Sequence, residues 1–337
     1  MDNPSSFHSI TAVIVTYGNR KCFLEPVLKS VLTQQVHSIL IINNGGRWDI
    51  EALAASLSPI VQVIHLPTNT GSAGGFSAGI QKALELQSQL IWLLDDDTCP
   101  STQTLDQLFK AYLDLSSKHQ PENLAVVCFR PTRFSPWVYS HPNRLFRNPF
   151  SFMGFDITQI PSRLWTRITR IFSHDPLILP DKIPLETAPY SGLLFHSTLI
   201  KHIGLPCQDF VVYVDDSEFT YRITQTGGVL YLITHSVLKD IGPIWHHGIS
   251  THQFFVALQG QDDFRAYYNM RNEVYFDLHI RKHAPQWLYH INQILFFGIL
   301  FMFSILYGKQ KRYRILVRAI QDGQTQRLGI HPNYPLS

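Results

Sequence analysis

The sequence has few cysteines, few charged residues and no strong excess of one charge sign. Its four cysteines lie far apart without a CxxC pair, which supports neither a zinc ribbon nor a disulfide framework and favours a reducing compartment. Charged residues are 16% of the 337, and the net charge is only +3, so no nucleic-acid partner is expected. An aromatic content of 12% argues against disorder.

Long hydrophobic runs are also lacking. Residues 1–9 are polar and lack the apolar core of a signal peptide, so we expect none. No stretch reaches the ~18 apolar residues that a membrane-spanning helix needs. The closest, Ile294 to Tyr307, is interrupted by Gly298 and Ser304.

The first hundred residues alternate between apolar runs and amphipathic segments. The apolar runs predict buried strands over 10–16, 38–42, 60–66 and 90–94, and the segments between them predict helices. This β-α-β-α order predicts an α/β fold with a mostly parallel sheet and right-handed crossovers. Further along, 185–240 combines strands and helices, 130–175 is irregular, basic and aromatic, and 262–330 is mainly helical.

Polar loops follow the predicted strands. In open α/β sheets, ligands bind beyond the carboxyl ends of the strands. The loops at 16–20 and 43–46 and the acidic run at 95–97 are therefore expected to converge on one crevice.

Asp95, Asp96 and Asp97 end the fourth strand. Three adjacent carboxylates repel one another, and a hard divalent cation such as Mg²⁺ or Mn²⁺ relieves that repulsion. Alternate residues of an extended segment face the same side. Asp95 and Asp97 are thus predicted to share a metal, or to divide between the metal and the sugar–ribose side. The alternative is a solvated acidic loop that caps a helix.

Two further segments carry candidate chemistry. The glycine-rich run from Asn69 to Phe76 opens a helix whose N-terminus favours anions, although a tight helix entry explains it equally well. Asp215, Asp216 and Glu218 form a second acidic cluster, which is typical of a general base or of a helix start. His246 and His247 are weaker candidates as metal ligands.

Eight motifs in order resemble those of family 2 inverting glycosyltransferases, and most of all a galactofuranosyl- and rhamnosyltransferase-like branch. They cover about residues 10–330: VIVTYGNR, IINNGG, NTGSAGGFSAGI, WLLDDDT, APYSGLLFH, VYVDDSEFTYRI, YYNMRN and AIQDGQTQRLG. The resemblance implies a GT-A fold, which is a Rossmann-like, mostly parallel sheet with flanking helices, plus a mainly helical C-terminal region. It also implies a UDP- or dTDP-sugar donor, Mn²⁺ or Mg²⁺, and transfer of galactofuranose or rhamnose to a polysaccharide or lipid-linked acceptor.

The resemblance also assigns roles to residues of this chain. Asp216 is the implied catalytic base, with Asp215 and Glu218 positioning it or the acceptor, and Asp95 and Asp97 match the acidic motif that binds metal. The implied donor-binding residues are Thr16, Tyr17, Arg20, Asn44, Asn69, Gly71, Gly74, Gly75, Phe76, Asp95 and Asp96. Tyr268, Arg271 and Asn272 are implied near the acceptor or the phosphates.

The chain departs from the family pattern at one metal ligand. The family often has a histidine in a Ser-hydrophobic-x-His pattern, where this chain has Ser236 to Asp240 with Lys239 at the histidine position. Asp240, His246 or His247 would then supply the third ligand. Two alternatives to a glycosyltransferase remain: a non-catalytic carbohydrate- or nucleotide-binding protein on the same scaffold, and a sugar nucleotidyltransferase. The TYGNR loop after the first strand argues against the latter.

We expect residues 1–250 to form the nucleotide-sugar-binding and catalytic domain, with 130–180 as an insertion, and 251–337 to form the helical region. In that region the apolar stretch is followed by a basic run: Lys309, Lys311, Arg312, Arg314 and Arg318. This combination suits peripheral binding to an anionic membrane surface, although a core or dimer helix is the alternative. We therefore expect a cytoplasmic protein at the inner face of the membrane and leave a homo-oligomer open.

Overall fold

The computed structural model describes residues 9–132, 148–162, 179–242, 257–260, 262–281 and 286–336. The chain divides into two compact units. The first comprises 1–142, 179–244 and 336–337, and the second comprises 143–178 and 245–335.

The described part of the first unit is built on a nine-stranded sheet. In chain order the strands are β1 Ile10–Thr16, β2 Ser38–Asn44, β3 Val61–Leu66, β4 Leu90–Asp95, β5 Thr98–Pro100, β6 Leu124–Phe129, β7 Lys182–Pro184, β8 Leu193–His196 and β9 Val229–Asp240. Their spatial order is β3-β2-β1-β4-β8-β6-β9-β5, and β7 pairs with β9. The first four strands are parallel, whereas β8 runs antiparallel to β4 and β6. The predicted α/β fold with a mostly parallel sheet is confirmed.

Helices connect these strands and cover the sheet. They are α1 Lys21–Leu32, α2 Ile50–Leu57, α3 Gly71–Glu85, α4 Thr104–Ser116, α5 Leu199–Ile203 and α6 Asp215–Gln225. Strands β1 and β2 are buried along their whole length, as expected for parallel strands that helices cover on both faces. That burial is why residues 10–16 and 38–42 are nearly continuous apolar runs.

Glycines bring α3 close to the sheet. A Cβ atom on Gly79 would come within 2.3 Å of Val13 Cγ1, and one on Gly75 within 2.6 Å of Val15 Cγ1. Contacts this short do not occur between real side chains, so only glycine lets the helix backbone lie at this distance from β1. At these two positions the glycine-rich helix is thus a packing surface.

The second unit contains three longer helices among its described residues: α7 Asp263–Tyr275, α8 Gln286–Leu306 and α9 Gln310–Gln324. A π-helical turn, Phe276–Ile280, extends α7. The expected helical character of the C-terminal region is confirmed.

Helix α8 corrects one expectation. It has 21 residues, because two turns precede Ile294 in the same helix, and within the described residues it alone is long and apolar enough to cross a membrane by length and composition. Only 33% of its most apolar window is buried. The statement that no apolar stretch reaches spanning length was therefore wrong, since the helix tolerates Gly298 and Ser304 within its length.

Candidate functional site

The carboxyl ends of β1 and β4 meet through one buried carboxylate. Thr16 Oγ1 donates a 2.6 Å hydrogen bond to Asp96, and Arg20 Nε donates to both oxygens of Asp96 at 3.0 and 2.8 Å. Arg20 Nη2 also lies 2.8 Å from an oxygen of Asp97. The first loop and the acidic run, both predicted to line a crevice, are thus joined directly.

Burial shifts the pKa values of Asp96 and Arg20, and their hydrogen bond opposes both shifts. Desolvation raises the pKa of Asp96 to about 6, although the hydrogen bonds from Arg20 and Thr16 oppose the rise. Burial also lowers the pKa of Arg20, but the hydrogen bond to Asp96 and the charges of Asp96, Tyr17 and Asp97 together outweigh it, and the net pKa is raised. Arg20 therefore stays charged and holds the Tyr17 ring, whose centroid is 5.0 Å from the guanidinium carbon.

Asp95 and Asp97 face outward on either side of Asp96. Their side chains are 37% and 21% exposed, against 4% for Asp96. Asp95 ends β4, whereas Asp96 and Asp97 form the turn that leads into β5, so this turn and not an extended backbone places the two exposed side chains beside the buried one. Two accessible carboxylates fit Mg²⁺ or Mn²⁺, because these cations take oxygen ligands and usually bind one or two carboxylates together with substrate phosphates.

Arg130 joins the acidic run to the end of β9. It is buried, and its Nη2 donates to Asp240 while its Nη1 lies 3.4 Å from Asp95. Thr132 donates to the other oxygen of Asp240. Arg20 and Arg130 together face four carboxylates, those of Asp95, Asp96, Asp97 and Asp240. Two negative charges therefore remain, which is the charge that a divalent cation would neutralise.

The third metal ligand stays a prediction. Within the described ranges, no group of three or more His, Cys, Asp or Glu side chains could hold a metal. Both oxygens of Asp240 accept hydrogen bonds from Arg130 and Thr132, which is a structural reason to place it outside a metal's ligand set. His246 and His247 lie outside the described residues.

The second acidic cluster lies at the start of α6. Asp215 is buried and accepts a 2.7 Å hydrogen bond from Ser72, the second residue of α3. Glu218 is buried and pairs with Arg222 at 3.0 Å. Asp216, between them, is half-buried, and it accepts a hydrogen bond from the Ser217 amide at 2.7 Å.

Burial raises the pKa values of Asp215 and Glu218, and repulsion by a neighbouring carboxylate adds to the rise for Asp215. The pKa of Asp215 lies well above its ordinary range because of burial first, then because of Asp216, and Asp95 adds to the rise. Burial likewise raises the pKa of Glu218 in spite of Arg222. The Asp95 amide donates a 3.2 Å hydrogen bond to Ser191, whose neighbour Tyr190 packs on Phe76 of α3, and Ser72 of the same helix donates to Asp215. Both acidic clusters are therefore linked to α3.

A strained turn positions this cluster. Val211, Tyr213 and Val214 have φ values of 67°, 66° and 66°, a left-handed region that branched residues rarely adopt. The Val211 carbonyl accepts a hydrogen bond from the Ala73 amide at 3.2 Å. A Cβ atom on Gly71 would lie 1.9 Å from that oxygen, so the first glycine of α3 is required for the turn to dock.

The other residues implied to bind the donor lie near these elements. The Asn44 side chain holds the start of α3, since it accepts from the Thr70 amide and donates to the Gly71 carbonyl, both at 2.8 Å. Asn69 Oδ1 accepts from the Gly71 amide at 3.0 Å. Gly71, Gly74, Gly75 and Phe76 are buried. The structure gives all of them packing or positioning roles, and donor contact stays a prediction.

Tyr268, Arg271 and Asn272 belong to the second unit and are buried in it. Arg271 Nη1 donates to the Gly329 carbonyl at 2.6 Å, and its Nε donates to Asn272 at 2.9 Å. Tyr268 Oη accepts from the His331 amide at 2.9 Å. These bonds fix the C-terminal tail to α7, and a role near the acceptor stays a prediction.

Several residues of the site carried no predicted role. They include Arg130, Ser72 within the glycine-rich run, and the members of the APYSGLLFH motif. In that motif Tyr190 packs on Phe76 with ring centroids 4.3 Å apart, and Ser191 donates to or accepts from Thr98 at 2.7 Å. The motif itself was the signal, whereas nothing local to Arg130 indicates its partners.

Comparisons with known proteins bear on the family and the fold. The sequence profile described as glycosyl transferase family 2 matches residues 11–177. The galactofuranosyltransferase GlfT1 of Mycolicibacterium smegmatis (strain ATCC 700084 / mc(2)155) is 25% identical over 295 residues, covering 83% of this chain and 87% of that protein.

A solved structure shows the same fold. It is GalNAc-T7 with UDP, GalNAc and Mn²⁺, with a TM-score of 0.53 and 13% identity over 80% of this chain. The chain spans about half of that structure, 48% of its length. At this identity the likeness concerns the fold, which is of the GT-A type. The profile match and the relative together identify the chain as a glycosyltransferase with a family 2 domain at residues 11–177.

Proposed function

We propose that this enzyme transfers galactofuranose, with inversion, from a nucleotide-diphosphate donor to a saccharide acceptor. The sugar rests on the similarity to GlfT1, a galactofuranosyltransferase. The observation that carries the mechanism is the link of both acidic clusters to α3, through Ser72 to Asp215 and through Ser191 and Tyr190 to Asp95. An inverting displacement needs a base for the acceptor and a separate group that stabilises the leaving diphosphate.

Each cluster has one task in this proposal. Asp95 and Asp97 would hold Mn²⁺ or Mg²⁺, which when bound neutralises the charge of the leaving diphosphate. Asp216 accepts the proton of the attacking acceptor hydroxyl, and the bond from oxygen to the anomeric carbon forms as the bond to the diphosphate breaks. Asp215 and Glu218, both buried at the start of α6, position Asp216 and the acceptor.

In this proposal the loops that follow β1 and β2 border the donor. Arg20, held by Asp96, keeps the Tyr17 ring in place, and Asn44 fixes the entry to α3. Tyr17 and Asn44 would border a nucleotide that we propose to be UDP, the nucleotide present in the GalNAc-T7 structure. We propose a lipid-linked or polysaccharide acceptor at the cytoplasmic face of the membrane.

The base assignment is tested with UDP-galactofuranose and a synthetic galactofuranoside acceptor. Asp216→Asn should lose transfer by about a hundredfold or more. A matched control is Asp106→Asn, which alters an exposed aspartate on α4 paired with Lys110 and should retain activity. NMR of the product should show inverted anomeric configuration. Wild-type rates in the Asp216→Asn variant, or retention of configuration, would refute the proposal.

Nucleotide and metal are tested by thermal shift. UDP, dTDP, GDP and CMP are each added with and without Mn²⁺ to wild type and to an Asp95→Asn, Asp97→Asn double variant. A ligand that binds only the folded state raises the apparent melting temperature. We expect a Mn²⁺-dependent shift with UDP that the double variant lacks. Equal shifts in both proteins would remove Asp95 and Asp97 from the metal site.

A further inference from the structure

The exposed face of α8 is a continuous apolar stripe. Its exposed residues recur at helical spacing along the whole helix: Trp287, Ile291, Ile294, Gly298, Phe301, Met302, Ile305 and Leu306. Ile294 and Leu306 are 70% and 73% exposed. From Trp287 to Ile305 the stripe is about 27 Å long at 1.5 Å per residue.

The buried face of the same helix carries polar side chains. Asn292, Gln293 and Ser304 are buried. Asn292 Nδ2 donates to the Phe150 carbonyl at 2.8 Å, and its Oδ1 accepts from the Ile157 amide at 3.0 Å. A helix of a water-soluble domain normally has its apolar face inside and its polar face outside. In α8 the arrangement is partly inverted, and large apolar side chains face outward.

Basic residues border the stripe at its C-terminal end. Lys309, Lys311 and Arg314 are exposed, and no acidic residue occurs between Leu306 and Ile320. Arg312 does not contribute to this surface, because it is buried against the carbonyls of Gly260 and Asp262. Tyr307, also exposed, stands between the apolar and basic parts, a position typical of membrane-interface aromatics.

The neighbouring helix determines the orientation. Asn292 binds the backbone of residues 150 and 157, and α9 packs against α8, so one side of α8 is covered by protein. Arg314 and Arg318 on α9 are exposed, and charged groups of this kind are costly inside hydrocarbon. If α8 crossed the bilayer, Arg314 and Arg318 would enter the hydrocarbon. If α8 lies parallel to the surface, both side chains stay at the level of the lipid headgroups.

We propose that the outer stripe of α8 binds an anionic lipid bilayer, with the helix lying in the interface and not crossing it. Trp287, Ile294 and Met302 enter the boundary between headgroups and acyl chains, and Lys309 and Lys311 contact lipid phosphates. This surface does not depend on which sugar the enzyme transfers. It belongs to the second unit.

Vesicle flotation of the full chain tests this surface. The vesicles are phosphatidylcholine alone, or phosphatidylcholine with phosphatidylglycerol. We expect binding to the anionic vesicles that weakens with salt, and weak binding to the neutral ones. An Ile294→Gln, Met302→Gln variant should bind more weakly by about tenfold or more. The control Leu113→Gln changes an exposed apolar residue on α4 and should bind like wild type.

Two further measurements separate the outcomes. Brominated lipids should quench tryptophan fluorescence in wild type and quench it much less in Trp287→Phe. Light scattering without lipid should give the same mass for wild type and for the Ile294→Gln, Met302→Gln variant. Absence of wild-type binding to anionic vesicles would overturn the proposal, as would undiminished binding by the double variant. A wild-type dimer that the double variant dissociates would overturn it too and assign the stripe to a second copy of the chain.

Discussion

The ion pair between Arg130 and Asp240 allows a quantitative test of how much a buried charge pair stabilises the first unit. Arg130→Met removes the guanidinium and keeps an unbranched apolar side chain of similar reach. Asp240, whose side chain is 5% exposed, then loses its ion pair with Arg130 and keeps the hydrogen bond from Thr132. Removing one partner of a buried ion pair typically costs about 3–5 kcal/mol, because the other charge is left buried and uncompensated.

The contact with Asp95 adds little to this cost. The Nη1 to Oδ2 distance is 3.4 Å, and Asp95 is more than a third exposed, so water screens the pair and its loss costs about 1 kcal/mol at most. We therefore expect Arg130→Met to lower the free energy of unfolding by about 4 kcal/mol. For a unit of this size that corresponds to a fall of roughly 8–16 °C in the melting temperature.

Urea unfolding followed by tryptophan fluorescence measures this loss. In a double-mutant cycle with Asp240→Asn, the coupling energy should reach about 2 kcal/mol, since the neutral amide needs no cation. The matched control is Arg327→Met, in which the lost arginine is 70% exposed and 3.7 Å from Asp322, and we expect a change within about 1 kcal/mol. A loss below about 1 kcal/mol for Arg130→Met, or an additive cycle, would contradict the reasoning.

Two other predictions concern packing and pH. In urea unfolding, Gly79→Ala should lower the free energy of unfolding by about 1–3 kcal/mol, because the new Cβ overlaps Val13. In Gly298→Ala the new Cβ meets nothing within 4 Å, so this variant should be as stable as the wild type or more stable. Asp96 has a folded-state pKa of about 6 against an ordinary 3.8, so the folded protein binds the extra proton between these values. Stability should therefore fall by up to roughly 3 kcal/mol as pH rises from about 4 to about 6, and Asp96→Asn should flatten that slope when both proteins are unfolded in EDTA. Equal slopes for the two proteins would contradict the raised pKa.

The sheet was predictable because burial on both faces leaves a local mark. Residues 10–16 and 38–42 are nearly continuous apolar runs, and both form fully buried parallel strands. The convergence of polar loops followed from topology alone, and Arg20 does meet Asp96 across 76 positions of sequence. Strand burial and sheet topology each depend on a whole segment of sequence, so several residues carry the same signal.

Single long-range pairings could not be predicted in this way. Arg130 and Asp240 are 110 positions apart, and no local periodicity relates them. The glycines after Gly71 could be interpreted equally as a ligand loop or as a packing surface, and only the 2.6 Å approach of Val15 shows the packing role of Gly75. The length of α8 was underestimated because Asn292 and Gln293, which break the apolar run, face inward and bind protein.

The docking of the strained turn onto α3 limits how this scaffold can be re-engineered. Gly71 and Ser72 contact Val211 and Asp215, so the start of α3 and the start of α6 are matched surfaces. A chimera that exchanges residues 205–225 for those of a relative must therefore carry residues 69–73 from the same parent. Exchanging either segment alone would misplace Asp216, the proposed base, even when every acidic residue is retained.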